Sequence, residues 1–178
     1  MKHILIATLI GIAAFTTGCT GTTGNANPTP AEGGNTSTTS SEAASGLEAV
    51  KPCDLLTDAE ATSLGMEVPG KAEKVASSDG CGWLKSGGGR IRAGIRTDSG
   101  VKDLNLQGDK VSEIKVGEFD ATKVEAPDGA KSQCTIVISV TDKSTVSVIS
   151  TLNLSNENTA ASCERASQAA ELIASKLP

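Results

Sequence analysis

The sequence predicts an α+β fold in which an N-terminal and a C-terminal helix pack on an antiparallel β-sheet, with two disulfides. Three observations lead to this expectation. Several segments alternate polar and apolar residues, as half-buried strands do. From about Thr159 the apolar residues recur at the helical period instead. Beyond residue 50 the chain has an even number of cysteines, which can all pair.

Helices are predicted at both ends of the folded region. Thr57 and Glu60 have the spacing of a capping box, which predicts a short helix that ends at Gly65. The C-terminal helix begins near Thr159. Its predicted buried face consists of Cys163, Ala166, Ala170, Ile173 and Leu177.

Strands are predicted between the two helices, and segment 98–106 is left open between a loop and a short helix. The predicted strands are 81–85, 90–96, 111–116, 118–124, 134–140 and 145–152. The last two form the clearest hairpin, joined through Asp142 and Lys143. Its predicted inward side chains are Ile136, Ile138, Val140, Val146 and Val148.

The first nineteen residues resemble a bacterial lipoprotein signal peptide. A basic start at Lys2 precedes an apolar run over 4–15, which is too short to span a membrane, and then Gly18 and Cys19 follow. We expect cleavage before Cys19 and acylation of its thiol, with diacylglyceryl and palmitate chains. Two or more acyl chains hold a protein stably on a membrane, here on the extracytoplasmic face. Thr16 departs from the usual Leu, and cleavage elsewhere is the alternative.

The chain divides into three predicted parts. Residues 1–18 are the signal peptide. Residues 19–50 comprise the lipidated cysteine and a Thr-, Gly- and Ser-rich stretch that offers almost nothing to bury, so it is predicted to be a disordered tether. Residues 51–178 form the single α+β domain.

Composition narrows the classes of function. Without Lys2 the mature chain has 15 Lys and Arg against 21 Asp and Glu, a net charge of −6. Nucleic-acid binding needs clustered positive charge, so no nucleic-acid partner is expected. Cleavage also removes His3, the only histidine, and with it the histidine-dependent triads. No catalytic residue, metal or cofactor is predicted.

Four cysteines remain after Cys19: Cys53, Cys81, Cys134 and Cys163. In an exported domain an even number implies disulfides, and four cysteines allow three connectivities. The sequence suggests sequential pairing, which would pin each terminal helix to a nearby strand. Zinc is the competing use, but it favours short ligand spacings, whereas 27, 52 and 28 residues separate these cysteines.

Several short motifs together resemble an actinomycete lipoprotein family catalogued as domain of unknown function 3558. They are Pro52-Cys53-Asp54-Leu55-Leu56-Thr57, Cys81-Gly82-Trp83, Val116-Gly117, Cys163-Glu164-Arg165-Ala166 and Leu177-Pro178. The resemblance covers the chain from about residue 50 to its end. It implies an exported, lipid-anchored α+β domain with sequentially paired cysteines, and it implies no activity.

Three arginines supply the one candidate binding feature. Arg90, Arg92 and Arg96 project to one face of the strand predicted over 90–96. Guanidiniums on one face bind anions, so a small anionic ligand or an envelope protein is the expected partner, besides the membrane reached through Cys19. The alternative is a solvated face paired with carboxylates. We therefore expect a non-enzymatic binding or accessory module of the cell envelope; a carboxylate-based envelope enzyme, for example a glycan hydrolase, is the other hypothesis.

Overall fold

All strands lie in one antiparallel sheet. The computed structural model describes residues 45–153 and 155–178. Its seven strands have the spatial order β1-β2-β3-β7-β6-β5-β4. Their bounds are β1 Lys71–Val75, β2 Ser78–Lys85, β3 Gly89–Arg96, β4 Gly108–Val116, β5 Phe119–Pro127, β6 Gln133–Thr141 and β7 Ser144–Thr151. The antiparallel sheet predicted from the alternating segments is confirmed.

One face of the sheet carries the hydrophobic core. Ala93 on β3 lies opposite Val148 on β7, which lies opposite Ile136 on β6, and all three are fully buried. The neighbouring rows add further branched aliphatic side chains and Trp83. The β6–β7 hairpin is therefore confirmed, with four of its five predicted inward residues buried and Val140 partly buried.

The C-terminal helix α2, Thr159–Ala174, packs mainly on β6 and β7. It begins after Asn158, whose side chain accepts a hydrogen bond of 3.0 Å from Ala161 N. Its buried face contains the predicted Cys163, Ala166, Ala170 and Ile173, and Leu177 beyond the helix is partly buried against the core. The predicted C-terminal helix is confirmed.

Near the other end, α1 extends over Asp58–Ser63 with the predicted capping box at Thr57 and Glu60. Thr57 N donates to Glu60 Oε2 at 2.8 Å. The contact with the sheet is made mainly by the preceding 3-10 turn, Pro52–Leu55, which packs on β2 and β3. The prediction assigned that contact to the helix; the turn makes it because it carries Cys53 and the buried Leu55.

The two disulfides join the terminal segments to the sheet. Cys53 pairs with Cys81 on β2, and Cys134 on β6 pairs with Cys163 on α2. The sequential pairing is confirmed, and both sulfur bridges lie on the core face.

Two sequence predictions need correction. β1 was missed, because its one half-buried side chain, Glu73, gives no apolar alternation. The tether boundary predicted at residue 50 lies too late, since Leu47–Ala49 form a 3-10 turn and Leu47 is 1% exposed in the core. The predicted signal peptide, Cys19 and the tether up to residue 44 lie outside the described residues. Among the described residues, no helix is long and apolar enough to cross a membrane.

Candidate functional site

The sheet face opposite α2 carries a hollow of about 290 Å³. The floor comes from β3, β6 and β7. Leu104, Asn105 and Leu106, which follow the short 3-10 turn Val101–Asp103, form one wall, and Val75 at the end of β1 contributes to another. Arg92 and Arg96 both line this hollow. The segment left open in the sequence, 98–106, therefore becomes part of a site.

Two glycines make room for the guanidinium of Arg92. Gly80 on β2 lies opposite Gly94 on β3, so this row of the sheet has no side chains on either strand. A Cβ atom at Gly80 would lie 2.6 Å from Arg92 Nη2, and one at Gly94 would collide with Arg92 Nη1. The bare row lets an arginine lie against the sheet, where an alanine would exclude it.

Glu73 on β1 is the shared counter-ion of two arginines. Arg90 Nη2 donates to both of its carboxylate oxygens, at 2.6 and 2.7 Å. Arg92 Nε lies 2.8 Å from Glu73 Oε1, close enough for an ion pair. The Nε–H is not aligned with that oxygen, and it has no hydrogen-bond partner among the residues the structure describes. One carboxylate thus faces two guanidiniums.

Arg92 is a buried cation, with 6% of its surface exposed. Its Nη2 donates to the Ser78 carbonyl at 3.1 Å, and Ser78 Oγ lies 3.4 Å from both Nη atoms. Burial lowers the pKa of Arg92 from its ordinary value, Glu73 opposes that effect, and the positive charges of Arg96 and Arg90 lower the pKa further. The hollow therefore contains incompletely compensated positive charge.

Arg96 is the guanidinium that remains available. It is half-buried, and its side chain forms no hydrogen bond or ion pair with any residue in 45–153 or 155–178. It comes at the end of β3, opposite Thr145 of β7. With five N–H donors in a planar fork, an unpaired guanidinium beside a cavity is suited to hold a planar anion.

Much of the remaining lining is apolar. Val137 and Ile149 lie on the floor, and Leu104 and Leu106 on the wall. Val75 is 53% exposed although it borders the hollow. Thr135, Asn105 and Ser147 supply the polar atoms, and Ser147 Oγ is already engaged with the Gly94 carbonyl at 3.3 Å. The hollow thus combines a cationic end with aliphatic walls.

Another hollow, of about 400 Å³, has a different character. Glu113, Asp120 and Lys102 line it, and all three are exposed. Asp120 pairs with Lys115 at 2.8 Å. None of the charged groups there is buried, so their charges are screened by water. In the part of the chain that the structure describes, no cluster of His, Cys, Asp or Glu could hold a metal ion.

The structure separates the three predicted arginines. Arg92 and Arg96 meet in the hollow, whereas Arg90 is held by Glu73 and borders a shallower surface near Leu152. The alternative to anion binding was a face whose arginines pair with carboxylates. That description applies to Arg90 and, in part, to Arg92. The sequence did not indicate Glu73 as a site residue, because β1 lacks a strand signal. It did not indicate Leu104 and Leu106 either, because no local pattern places 104–106 over the sheet.

Fold and site together define a small disulfide-bonded α+β protein with a cationic, partly aliphatic hollow on one sheet face. A family model described as "Protein of unknown function (DUF3558)" matches residues 14–176, so the chain belongs to this family. Comparison with curated proteins and with solved structures finds no match. The resemblance noted from the sequence motifs is therefore confirmed at the level of the family.

Proposed function

We propose that this protein is a lipid-anchored lipoprotein of the actinomycete type, held on the extracytoplasmic face of the cell membrane, whose folded part is a non-enzymatic binding module for an anion. The signal-peptide pattern that ends at Cys19 supports the anchor. The two disulfides fit an oxidising compartment outside the cytoplasm.

The unpaired guanidinium of Arg96 beside the buried Arg92 carries the binding proposal. Cations on a protein surface are ordinary when water surrounds them. Arg96 instead lines a hollow with a second, desolvated arginine, and the only carboxylate that reaches this pair among the described residues is Glu73, which Arg90 shares. An anion in the hollow would relieve the repulsion between Arg92 and Arg96 and satisfy the free donors.

Native mass spectrometry of the full-length protein, extracted from bacterial membranes in mild detergent, tests this function. We expect a bound anionic molecule on the wild type, and its loss from Arg96→Gln. Lys131→Gln is the matched control, because it removes one positive charge at an exposed position outside the hollow. The control should retain the bound molecule.

The same preparation separates the proposal from the enzyme hypothesis. Equal occupancy in the wild type and Arg96→Gln, or no bound anion on any of the three proteins, would contradict the binding site. A bound molecule whose mass changes during incubation, with the change abolished by Glu113→Gln or Asp120→Asn, would favour an enzyme that uses the exposed carboxylates.

The anchor has its own test. A Cys19→Ser variant should lack acyl chains and appear in the soluble extracytoplasmic fraction, because the thiol that accepts the lipid is gone. Mass spectrometry of the N-terminal peptide gives the answer directly. Acyl chains on the Cys19→Ser protein would show that the lipid is attached elsewhere.

A further inference from the structure

We infer that the ligand is a small amphipathic monoanion, a carboxylate carried on an aliphatic chain, with the carboxylate on Arg96 and the chain against the aliphatic walls. This inference rests on the proposed binding function and adds the chemical class of ligand. Three features of the hollow lead to it: one free fork, aliphatic walls and a limited volume.

The head group follows from the available donors. Arg90 is committed to Glu73 through two hydrogen bonds, and Arg92 donates to Ser78 from beneath the surface. Arg96 therefore offers the one free fork in the lining. A single guanidinium fork matches a single carboxylate, which it binds through two parallel hydrogen bonds. A phosphate carries further acceptor oxygens that this one fork does not reach.

The aliphatic chain of the ligand is inferred from the apolar residues that line the hollow. Leu104 and Leu106 face the hollow from one side, and Val137 and Ile149 from the sheet. Val75 keeps 53% of its surface exposed at the border. An apolar ligand that covers the part of these walls left in contact with water gains affinity, because aliphatic surface is unfavourable in water. A bare inorganic anion would leave these walls in water.

The volume limits the size of the ligand. At about 290 Å³ the hollow lies just below the roughly 300–1,000 Å³ that is typical of small-molecule sites. It has room for a medium-length acyl chain and excludes a folded partner.

Isothermal titration calorimetry with three kinds of probe tests the inference: decanoate below its critical micelle concentration, the head-only anions acetate and inorganic phosphate, and the neutral decanol. We expect decanoate to bind more tightly than any of the others. Arg96→Gln should weaken the binding of decanoate by about 10- to 100-fold, which is the loss of affinity expected when a charge-assisted hydrogen-bonded pair is removed. Lys131→Gln should bind like the wild type.

A second variant tests the chain independently of the head. Leu106→Ser should weaken the binding of decanoate by about tenfold, because it removes part of the aliphatic wall. The affinity for acetate should stay unchanged. Val111→Ser is its control, since it makes an aliphatic-to-serine change on the edge strand β4, outside the hollow, where Val111 is 47% exposed. Circular dichroism melts of all variants confirm that they fold.

The outcomes distinguish the two proposals. If phosphate or acetate binds as tightly as decanoate and depends on Arg96, the anion site stands and the amphipathic ligand is wrong. If decanol binds as tightly as decanoate, the inference that the ligand carries a carboxylate head group is wrong. If no probe binds in an Arg96-dependent way, the inference fails, and the bound anion sought by native mass spectrometry decides separately whether the anion site fails with it.

Discussion

Arg92 Nε lies 2.8 Å from Oε1 of Glu73, so a buried cation of β3 is paired with the one half-buried side chain of the edge strand β1. Gly80 on the intervening strand β2 and Gly94 on β3 leave room for the guanidinium that makes this contact. The same arrangement leaves Arg96, four residues further along β3, without a counter-ion among the described residues. The position of the Glu73 carboxylate thus underlies both the burial of Arg92 and the availability of Arg96 for the proposed anion.

Glu73→Gln should destabilise the protein by about 1–3 kcal/mol, because it leaves the desolvated guanidinium of Arg92 without its neighbouring negative charge. The partial exposure of Glu73, 28%, keeps the loss below that of a fully buried pair. Urea denaturation measures it.

The control for Glu73→Gln is Asp79→Asn. Asp79 pairs with Lys74, and both side chains are 65% exposed, so its loss should lie within about 0.5 kcal/mol. Equal effects of the two substitutions would show that the Glu73 cluster contributes no more than a solvated surface pair.

Gly94→Ala should cost about 1–3 kcal/mol or more, as overpacked substitutions do. The added Cβ would collide with Arg92 Nη1 and lie 2.5 Å from Ser78 Oγ. Because Arg92 is buried, its guanidinium cannot simply swing into water.

Gly88→Ala is the matched control for the glycine row. There the atoms nearest to the added Cβ would belong to the flexible side chain of Lys85, with Cδ at 2.6 Å, and that exposed lysine can move aside. Thermal melts should show a clear loss for Gly94→Ala and a small one for Gly88→Ala. The reverse order would contradict the packing of Arg92 on the bare row.

Much of the sheet could be predicted because polar and apolar residues alternate along its inner strands. The alternation along β3, β6 and β7 marks the core side directly, and the four cysteines pair in the suggested order. The capping box at Thr57 also predicts where α1 begins. Local pattern is enough where the polarity of the residues alternates with the period of the strand.

The site could be predicted only in part, because its essential contacts are long-range. That Arg92 is buried and Arg96 free depends on Glu73, and β1 has no apolar face that would reveal it as a strand. Leu104 and Leu106 fold over the sheet through tertiary contacts that no local spacing encodes. Leu47 was assigned to the tether because a single leucine in a polar stretch gives no periodic signal.

Removing either disulfide should lower the free energy of unfolding by about 3.5 kcal/mol on the chain-entropy model. The two loops are nearly equal, with sequence separations of 28 and 29. The double variants Cys53→Ala with Cys81→Ala, and Cys134→Ala with Cys163→Ala, should therefore lose similar amounts in urea denaturation. An unchanged midpoint in either double variant would contradict a stabilising role for that bond.

Stability should depend on pH through Glu60. Burial raises the pKa of this carboxyl, but hydrogen bonds from Lys176 and from the Thr57 N–H lower it more, so it lies below its ordinary 4.5. A depressed pKa contributes stability above pH 4.5 that is lost as the pH falls through the folded-state value. The difference in urea midpoint between wild type and Glu60→Gln should therefore be larger at pH 7 than at pH 3.

The control for this pH dependence is Glu113→Gln. The side chain of Glu113 is exposed and forms no hydrogen bond or ion pair within the described ranges, so its substitution should have little effect at either pH. A difference for Glu60→Gln that stays constant or grows on acidification would show that Lys176 and Thr57 do not stabilise the charged carboxylate.

The side-chain Nε–Hε NMR signals of the arginines report whether Arg96 holds the anionic ligand. The chain has only four, Arg90, Arg92, Arg96 and Arg165, and each can be assigned by substitution. Arg165 serves as an internal control, because it donates to Thr151 O at 2.7 Å and to Gly88 O at 3.0 Å. On titration with decanoate, we expect the Arg96 signal to shift to saturation while that of Arg165 stays in place. An unmoved Arg96 signal, or equal shifts of Arg96 and Arg165, would contradict the binding of the ligand by Arg96.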